Sequence, residues 1–200
     1  ENRDVTNVMR QCLELISRFS TLAAYAYQAK LRYYDGKSMY IHNPVPELST
    51  AENFLRLIRF DGKYTKLEAQ ILDLALILHA EHGGGNNSSL TVHVVSSADT
   101  DTYSAIAAAV GSLKGRRHGG ANIRVIEMMD DIKAHLKDWS DEKAIRAYLT
   151  KIAAKKAFDK TGLIYGMGHA IYTISDPRAI LLNELAEKLA KEKGCLDEFK

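Results

Sequence analysis

Apolar residues recur at helical spacing along most of the chain. Over residues 5–19 they fall at Val8, Cys12, Leu15, Ile16 and Phe19, which predicts an amphipathic helix. The step Phe19-Ser20-Thr21 is expected to break or restart it before the Ala/Tyr-rich run from Ala23 to Tyr27. Asp35-Gly36, Asn43-Pro44 and Pro46 make residues 35–48 a loop. Ser49 with Glu52, and Thr65 with Glu68, have the spacing of capping boxes and open two further helices. The first points Phe54, Leu55 and Ile58 inward. The second runs to about Glu81 and carries Leu67, Ile71, Leu72, Leu74, Leu76, Ile77 and Leu78 on nearly every side, the pattern of a buried helix. Gly83-Gly84-Gly85 ends it.

Residues 90–96, rich in Thr and Val, fit a strand or a short buried helix, and periodicity over so short a stretch does not separate the two. Small side chains dominate residues 101–113 and permit very close helix packing. Residues 120–136, 141–157 and 177–193 read as amphipathic helices. The last has Asp176 as N-cap, Pro177 at the first helical position and Gly194 just past its end. No repeat or low-complexity segment interrupts the pattern, and the fold is predicted to be all-α.

Composition narrows the class. With 46% hydrophobic and 26% charged residues among 200, the chain is that of a soluble globular protein. No apolar run approaches the roughly 18 residues of a membrane span. A net charge of +2 gives no reason to expect a nucleic acid or acidic partner. Cys12 and Cys195 make neither a disulfide framework nor a metal cluster, which points to a reducing, cytoplasmic setting. The polar start Glu1-Asn2-Arg3-Asp4 lacks both an initiator Met and a signal peptide's apolar core, as expected of a piece of a longer chain.

Candidate chemistry gathers around histidines. Three adjoin glycines, in His82-Gly83-Gly84-Gly85, His118-Gly119-Gly120 and Gly166-Met167-Gly168-His169. Glycine lets backbone come close to a ligand, so a neighbouring ring can present a nitrogen to it; singly, each is more commonly a hydrogen-bonded structural residue. His118 precedes a predicted helix, where it either faces a ligand or simply caps the helix. Arg178 sits in a first helical turn, where a cation opposes the helix dipole. It offers a planar fork for a carboxylate, or pairs with Asp176. His79 and His82, with His118 and Glu81, allow a metal-binding helical module as an alternative, although no cysteine pair or HExxH pattern supports it.

In order and spacing, His79-Ala80-Glu81-His82-Gly83-Gly84-Gly85-Asn86, Gly115-Arg116-Arg117-His118-Gly119-Gly120-Ala121-Asn122 and Gly166-Met167-Gly168-His169 through Asp176-Pro177-Arg178 resemble the three signature segments of citrate synthases. Thr21 to Tyr27 and Ala51 to Leu55 are similar to that family too. The resemblance implies part of a large helical dimerisation domain over residues 1–119 and part of a small CoA-binding domain over 120–200. The small side chains Ala105, Ala107, Ala108, Ala109 and Gly111, with the helix 66–81, would then pack across a homodimer; an intramolecular core is the alternative.

The implied activity is condensation of acetyl-CoA with oxaloacetate and water to give citrate and CoA, in the tricarboxylic acid cycle. His118 would stabilise the enol of acetyl-CoA, and His169 would act as general acid toward oxaloacetate. His82 and Arg178 would hold the oxaloacetate carboxylates, with Ser88 and Asn86 orienting the histidines. The backbone of Leu163, Ile164, Tyr165, Gly166, Met167 and Gly168 would meet the adenine of CoA. Acetyl-CoA is a substrate, so no cofactor and no metal are expected.

Some features depart from the family. Tyr172, Thr173 and Ile174 offer no basic residue after His169, Arg116-Arg117 is unusual before His118, and Gly83 stands where an acidic residue is common. The general-base aspartate and two substrate arginines of the family are expected beyond Lys200, so the isolated chain is expected to lack turnover. The sibling activity, 2-methylcitrate synthase with propionyl-CoA, is not separated by sequence.

Overall fold

The computed structural model describes residues 4–81, 83, 85–168 and 173–196. Among them the chain forms eight helices and no strand: α1 Val5–Tyr33, α2 Thr50–Ile58, α3 Lys66–His79, α4 Asn87–Ser97, α5 Thr102–Leu113, α6 Ala121–His135, α7 Glu142–Ala153 and α8 Pro177–Lys193. The all-α expectation holds. Both capping boxes form. Ser49 N donates to Glu52 Oε2 at 2.8 Å while Ser49 Oγ accepts from Glu52 N at 3.2 Å. Thr65 and Glu68 repeat the exchange at 2.7 and 3.2 Å. Such caps hold a helix start by about 1 kcal/mol each.

Several expectations are corrected. The helix predicted to break near Ser20 runs unbroken for 29 residues. Its second half is fastened from outside: fully buried Gln28 donates to Ile58 O at 3.0 Å and accepts from Tyr40 N at 3.1 Å, tying α1 to α2 and to the 35–48 loop. The stretch 90–96 is helical but not buried; α4 starts on Asn86, whose side chain accepts from Ser89 N at 2.9 Å, and none of its residues is buried. The helix expected to be buried, α3, buries only Glu68 and Ala69, while Leu76 and Ile77 are 43% and 63% exposed. The chain's own elements cover α3 where it meets α2 and α8. Of its other apolar side chains, Leu67, Ile71, Leu72, Leu74 and Leu78 are half-buried.

Helix α1 packs on α2 and α5, α2 packs on α3, α4 lies along α5, and α8 lies on α3. In α2 the buried set is Ala51, Leu55 and Leu57 rather than Phe54 and Ile58. A second centre forms where Met128 and Ile132 of α6 meet Tyr148 and Ile152 of α7, joined by Phe158, Ile164 and Tyr165 of the following segment. The Tyr148 hydroxyl donates to Asp131 at 2.7 Å. Burial, helped by that bond, pushes its pKa up to about 12.

Glu68 joins three elements. Arg59 grips it through two nitrogens at 2.7 and 3.0 Å, and Lys193 at the end of α8 adds a contact of 2.7 Å. The Arg59 bonds, acting against burial, lower its pKa to about 2. A depressed folded pKa adds stability that is present above the ordinary value of 4.5 and is lost as pH falls toward 2. The stability difference between the protein and its Glu68→Gln variant, measured by urea unfolding, is therefore expected to be largest at neutral pH and to shrink across that window. A difference that does not change with pH would contradict this.

Candidate active site

The site residue fixed most completely is His118. It lies in a tight turn between α5 and α6. Gly119 N reaches back to Leu113 O at 3.0 Å, His118 N to Gly115 O at 2.9 Å, and Gly120 N to Gly115 O at 3.3 Å. A Cβ at Gly119 would sit 2.4 Å from Leu113 O, and one at Gly120 would sit 2.7 Å from Arg116 O. Neither position tolerates a side chain, because the obstacles are backbone atoms. The two glycines allow the chain to double back, and the half-buried ring of His118 is carried toward α4.

There its Nε2 lies 2.8 Å from Ser88 Oγ, which also reaches Ala109 O at 3.2 Å. Ser88 stands in the first turn of α4, which Asn86 caps. Of the two residues expected to orient the histidines, Ser88 touches His118, and Asn86 acts one step back by fixing the turn that holds Ser88. The alternative that His118 caps α6 is not what the ring does: Gly120 is the N-cap, and no side-chain bond is made there.

Arg178 opens α8 as predicted. Asp176 accepts from Arg178 N at 2.9 Å as the helix cap, and the same carboxylate takes Nε at 3.1 and 3.2 Å and Nη2 at 2.7 Å. The cation that opposes the helix dipole is thus offset by its own capping residue. The pair is half-buried, so the guanidinium plane is oriented before any ligand arrives.

The 163–168 loop divides by depth. Ile164 and Tyr165 pack on the α6–α7 centre, while Leu163, Gly166, Met167 and Gly168 are exposed. Gly166 and Gly168 adopt left-handed backbone at φ +81 and +85, and a Cβ on Gly166 would press on Val125 at 3.2 Å. The Tyr165 hydroxyl donates to Asp159 Oδ2 at 2.7 Å, and Thr161 gives the other carboxylate oxygen bonds of 3.0 and 2.7 Å. Although burial pushes Asp159 up, these bonds hold its pKa below the usual carboxylate range. Sequence reasoning missed this network. Asp159 two residues before Thr161 is a turn signal, but nothing in the spacing tells that Tyr165 returns to it.

His82 and His169 lie outside the described residues. Among the described residues no group of three His, Cys, Asp or Glu could hold a metal ion. His79 Nδ1 instead meets Ala75 O at 2.7 Å, and Glu81 accepts from Gly83 N. A cavity of about 910 Å³ opens elsewhere, between α1, the 35–48 loop and Glu68, and no predicted site residue lines it. No described helix is long and apolar enough to cross a membrane.

The chain is similar to known proteins in sequence and in fold. The family model for the citrate synthase C-terminal domain matches residues 1–200. The chain is 35% identical over 193 residues to the citrate synthase of Deinococcus radiodurans, covering 96% of this chain and 46% of that protein. It is 34% identical over 181 residues to a 2-methylcitrate synthase of Shewanella oneidensis, covering 90% and 43%. The crystal structure of citrate synthase from Pyrobaculum aerophilum shares its fold with a TM-score of 0.74 at 28% identity, over 97% of this chain and 43% of that one. The chain spans about half the length of the curated relatives it matches. Likeness of this depth from end to end, in sequence and in fold together, follows from common descent: the chain belongs to the citrate synthase family.

Proposed function

We propose that the protein condenses acetyl-CoA with oxaloacetate and water, releasing citrate and CoA, as a step of the tricarboxylic acid cycle. The observation that carries this reading is the His118 ring held on Ser88 by a turn that only glycines can make. Loss of a methyl proton from acetyl-CoA builds negative charge on the thioester oxygen. A hydrogen-bond donor fixed at that oxygen lowers the barrier because it needs no reorganisation as the charge grows. Ser88 has one hydroxyl proton. The role proposed for His118 requires that proton to go to its Nε2, 2.8 Å away, rather than to Ala109 O at 3.2 Å. Nε2 is then the acceptor, and Nδ1–H is the donor left for the thioester.

The remaining roles rest on the motif resemblance. His169 protonates the alkoxide formed from the oxaloacetate ketone, and His82 and Arg178 hold the carboxylates. Arg178 is suited to this because Asp176 has already set its plane. The exposed backbone of the 163–168 loop receives the adenine end of CoA. The reading divides the chain into a large-domain part, residues 1–119, and a small-domain part, residues 120–200. It places the protein in the cytoplasm, in keeping with two free cysteines, and it invokes no cofactor beyond the substrates. In the full-length protein, His118→Ala is expected to lower oxaloacetate-dependent CoA release by about a hundredfold or more. Ser88→Ala is expected to lower it by about tenfold. Unchanged turnover in His118→Ala would refute the assignment.

The relative named as a 2-methylcitrate synthase keeps propionyl-CoA as a second reading. One methylene separates the two thioesters by only about 1–3 kcal/mol. Rates with both on the full-length protein decide, and faster turnover of propionyl-CoA favours the second reading.

Homodimer formation belongs to the same proposal. Val5, Met9, Leu13 and Ile16 form one stripe along α1, with Leu13 and Ile16 59% and 66% exposed. Leu90 and Val94 of α4 and Val110 and Leu113 of α5 are exposed as well. Apolar surface of this extent, on several helices at once, fits a partner subunit. Light scattering is expected to give twice the chain mass. Leu13→Glu with Ile16→Glu should halve it, and an unsubstituted monomer would exclude the dimer.

A further inference from the structure

The segment leading into the 163–168 loop is held in an unfavourable backbone shape. Lys155, Phe158 and Lys160 all have positive φ, at 62, 52 and 59, and among the described residues the only other non-glycine with positive φ is Asp99. Side chains rarely adopt this region, and such residues persist only where the surroundings over-determine them. Here the surroundings are specific. Asp159, between two of the strained residues, accepts from Thr161 N, Thr161 Oγ1 and the Tyr165 hydroxyl. The Phe158 ring meets the edge of Tyr165 at 6.1 Å and 86°. Thr161 Oγ1 lies 3.3 Å from Leu163 N, at the start of the loop.

These contacts hold the first half of the loop. Tyr165 and Ile164 go down into the α6–α7 centre, and the backbone between them and Gly168 stays outside, with Met167 76% exposed. We infer that Asp159 and Tyr165 are positioning residues for CoA, holding the 163–168 backbone in the shape that meets the adenine end of the thioester. The inference rests on the reading of that loop given above and adds what fixes it. Neither side chain needs to touch the ligand. Their bond removes the freedom the loop would otherwise lose on binding, which is how pre-organisation raises affinity.

The test is calorimetric titration of CoA, and separately of oxaloacetate, into the protein and four variants. Tyr165→Phe keeps the ring contacts and removes the hydroxyl bond; Asp159→Ala removes its acceptor. Each is expected to weaken CoA binding by about fivefold or more, and the double variant by no more than Asp159→Ala alone, because that change already removes the bond that Tyr165→Phe breaks. Oxaloacetate binding should not change, and in turnover the KM for acetyl-CoA should rise with kcat unchanged. Gly166→Val, which forces a branched side chain into left-handed backbone, tests the loop itself. If Gly166→Val weakens CoA binding while Tyr165→Phe and Asp159→Ala do not, the positioning role is wrong and the loop reading stands. If Gly166→Val binds CoA normally, or the unsubstituted protein binds none, the loop reading fails and this inference with it.

Discussion

Backbone atoms of the turn after α5 crowd residues 119 and 120 so closely that hydrogen is the only substituent either Cα can carry. From this constraint the rest of the site follows. The chain can reverse within a few residues, α6 can start at once, and the His118 ring is delivered to the first turn of α4. The packing of α4 along α5 brings Ser88 and Ala109 to the same place. Small side chains at Ala105 and Ala109, both buried, let these helices approach closely. The ring's position is thus set by backbone sterics and helix packing, without depending on a ligand.

A second principle recurs at lower stakes. Where the chain places a cation or a strained turn, a nearby carboxylate with several donors holds it. Asp176 both caps α8 and orients Arg178. Asp159 collects three bonds beneath the 163–168 loop. Glu68 gathers Arg59, Lys193 and the cap of α3. A carboxylate fits this work because its two oxygens accept several bonds at once, and bonds to an ionised group are stronger than neutral ones. Each therefore fixes elements that apolar packing in this chain leaves loosely held.

Much of this was legible in the sequence because it is local. Capping residues, the Asp176-Pro177 helix start and the Gly194 stop act within one turn, and each appears where the spacing put it. The glycines beside His118 were legible as points of close backbone approach, and the family resemblance implied Ser88 as a neighbour of the histidines. What was not legible is what depends on partners. The apolar girdle of α3 says that the helix must be covered but not by what, so its exposed Leu76 and Ile77 contradict the burial expected of it. The unbroken α1 depends on Gln28 finding Ile58 and Tyr40, a contact across 30 and 12 residues. The Asp159–Tyr165 bond needs three left-handed residues that no propensity predicts. Of the four residues assigned to the chemistry, the described structure gives the setting of His118 and Arg178.

The central claim is that Ser88 gives its proton to the His118 ring and so leaves Nδ1–H as the donor. Nitrogen-15 chemical shifts of that imidazole at neutral pH, in protein labelled at histidine and assigned with His118→Gln, report the tautomer directly. The account predicts a protonated Nδ1 and an unprotonated Nε2, with the preference weakened in Ser88→Ala. A ring protonated at Nε2 alone, with the serine donating to Ala109 O, would contradict it.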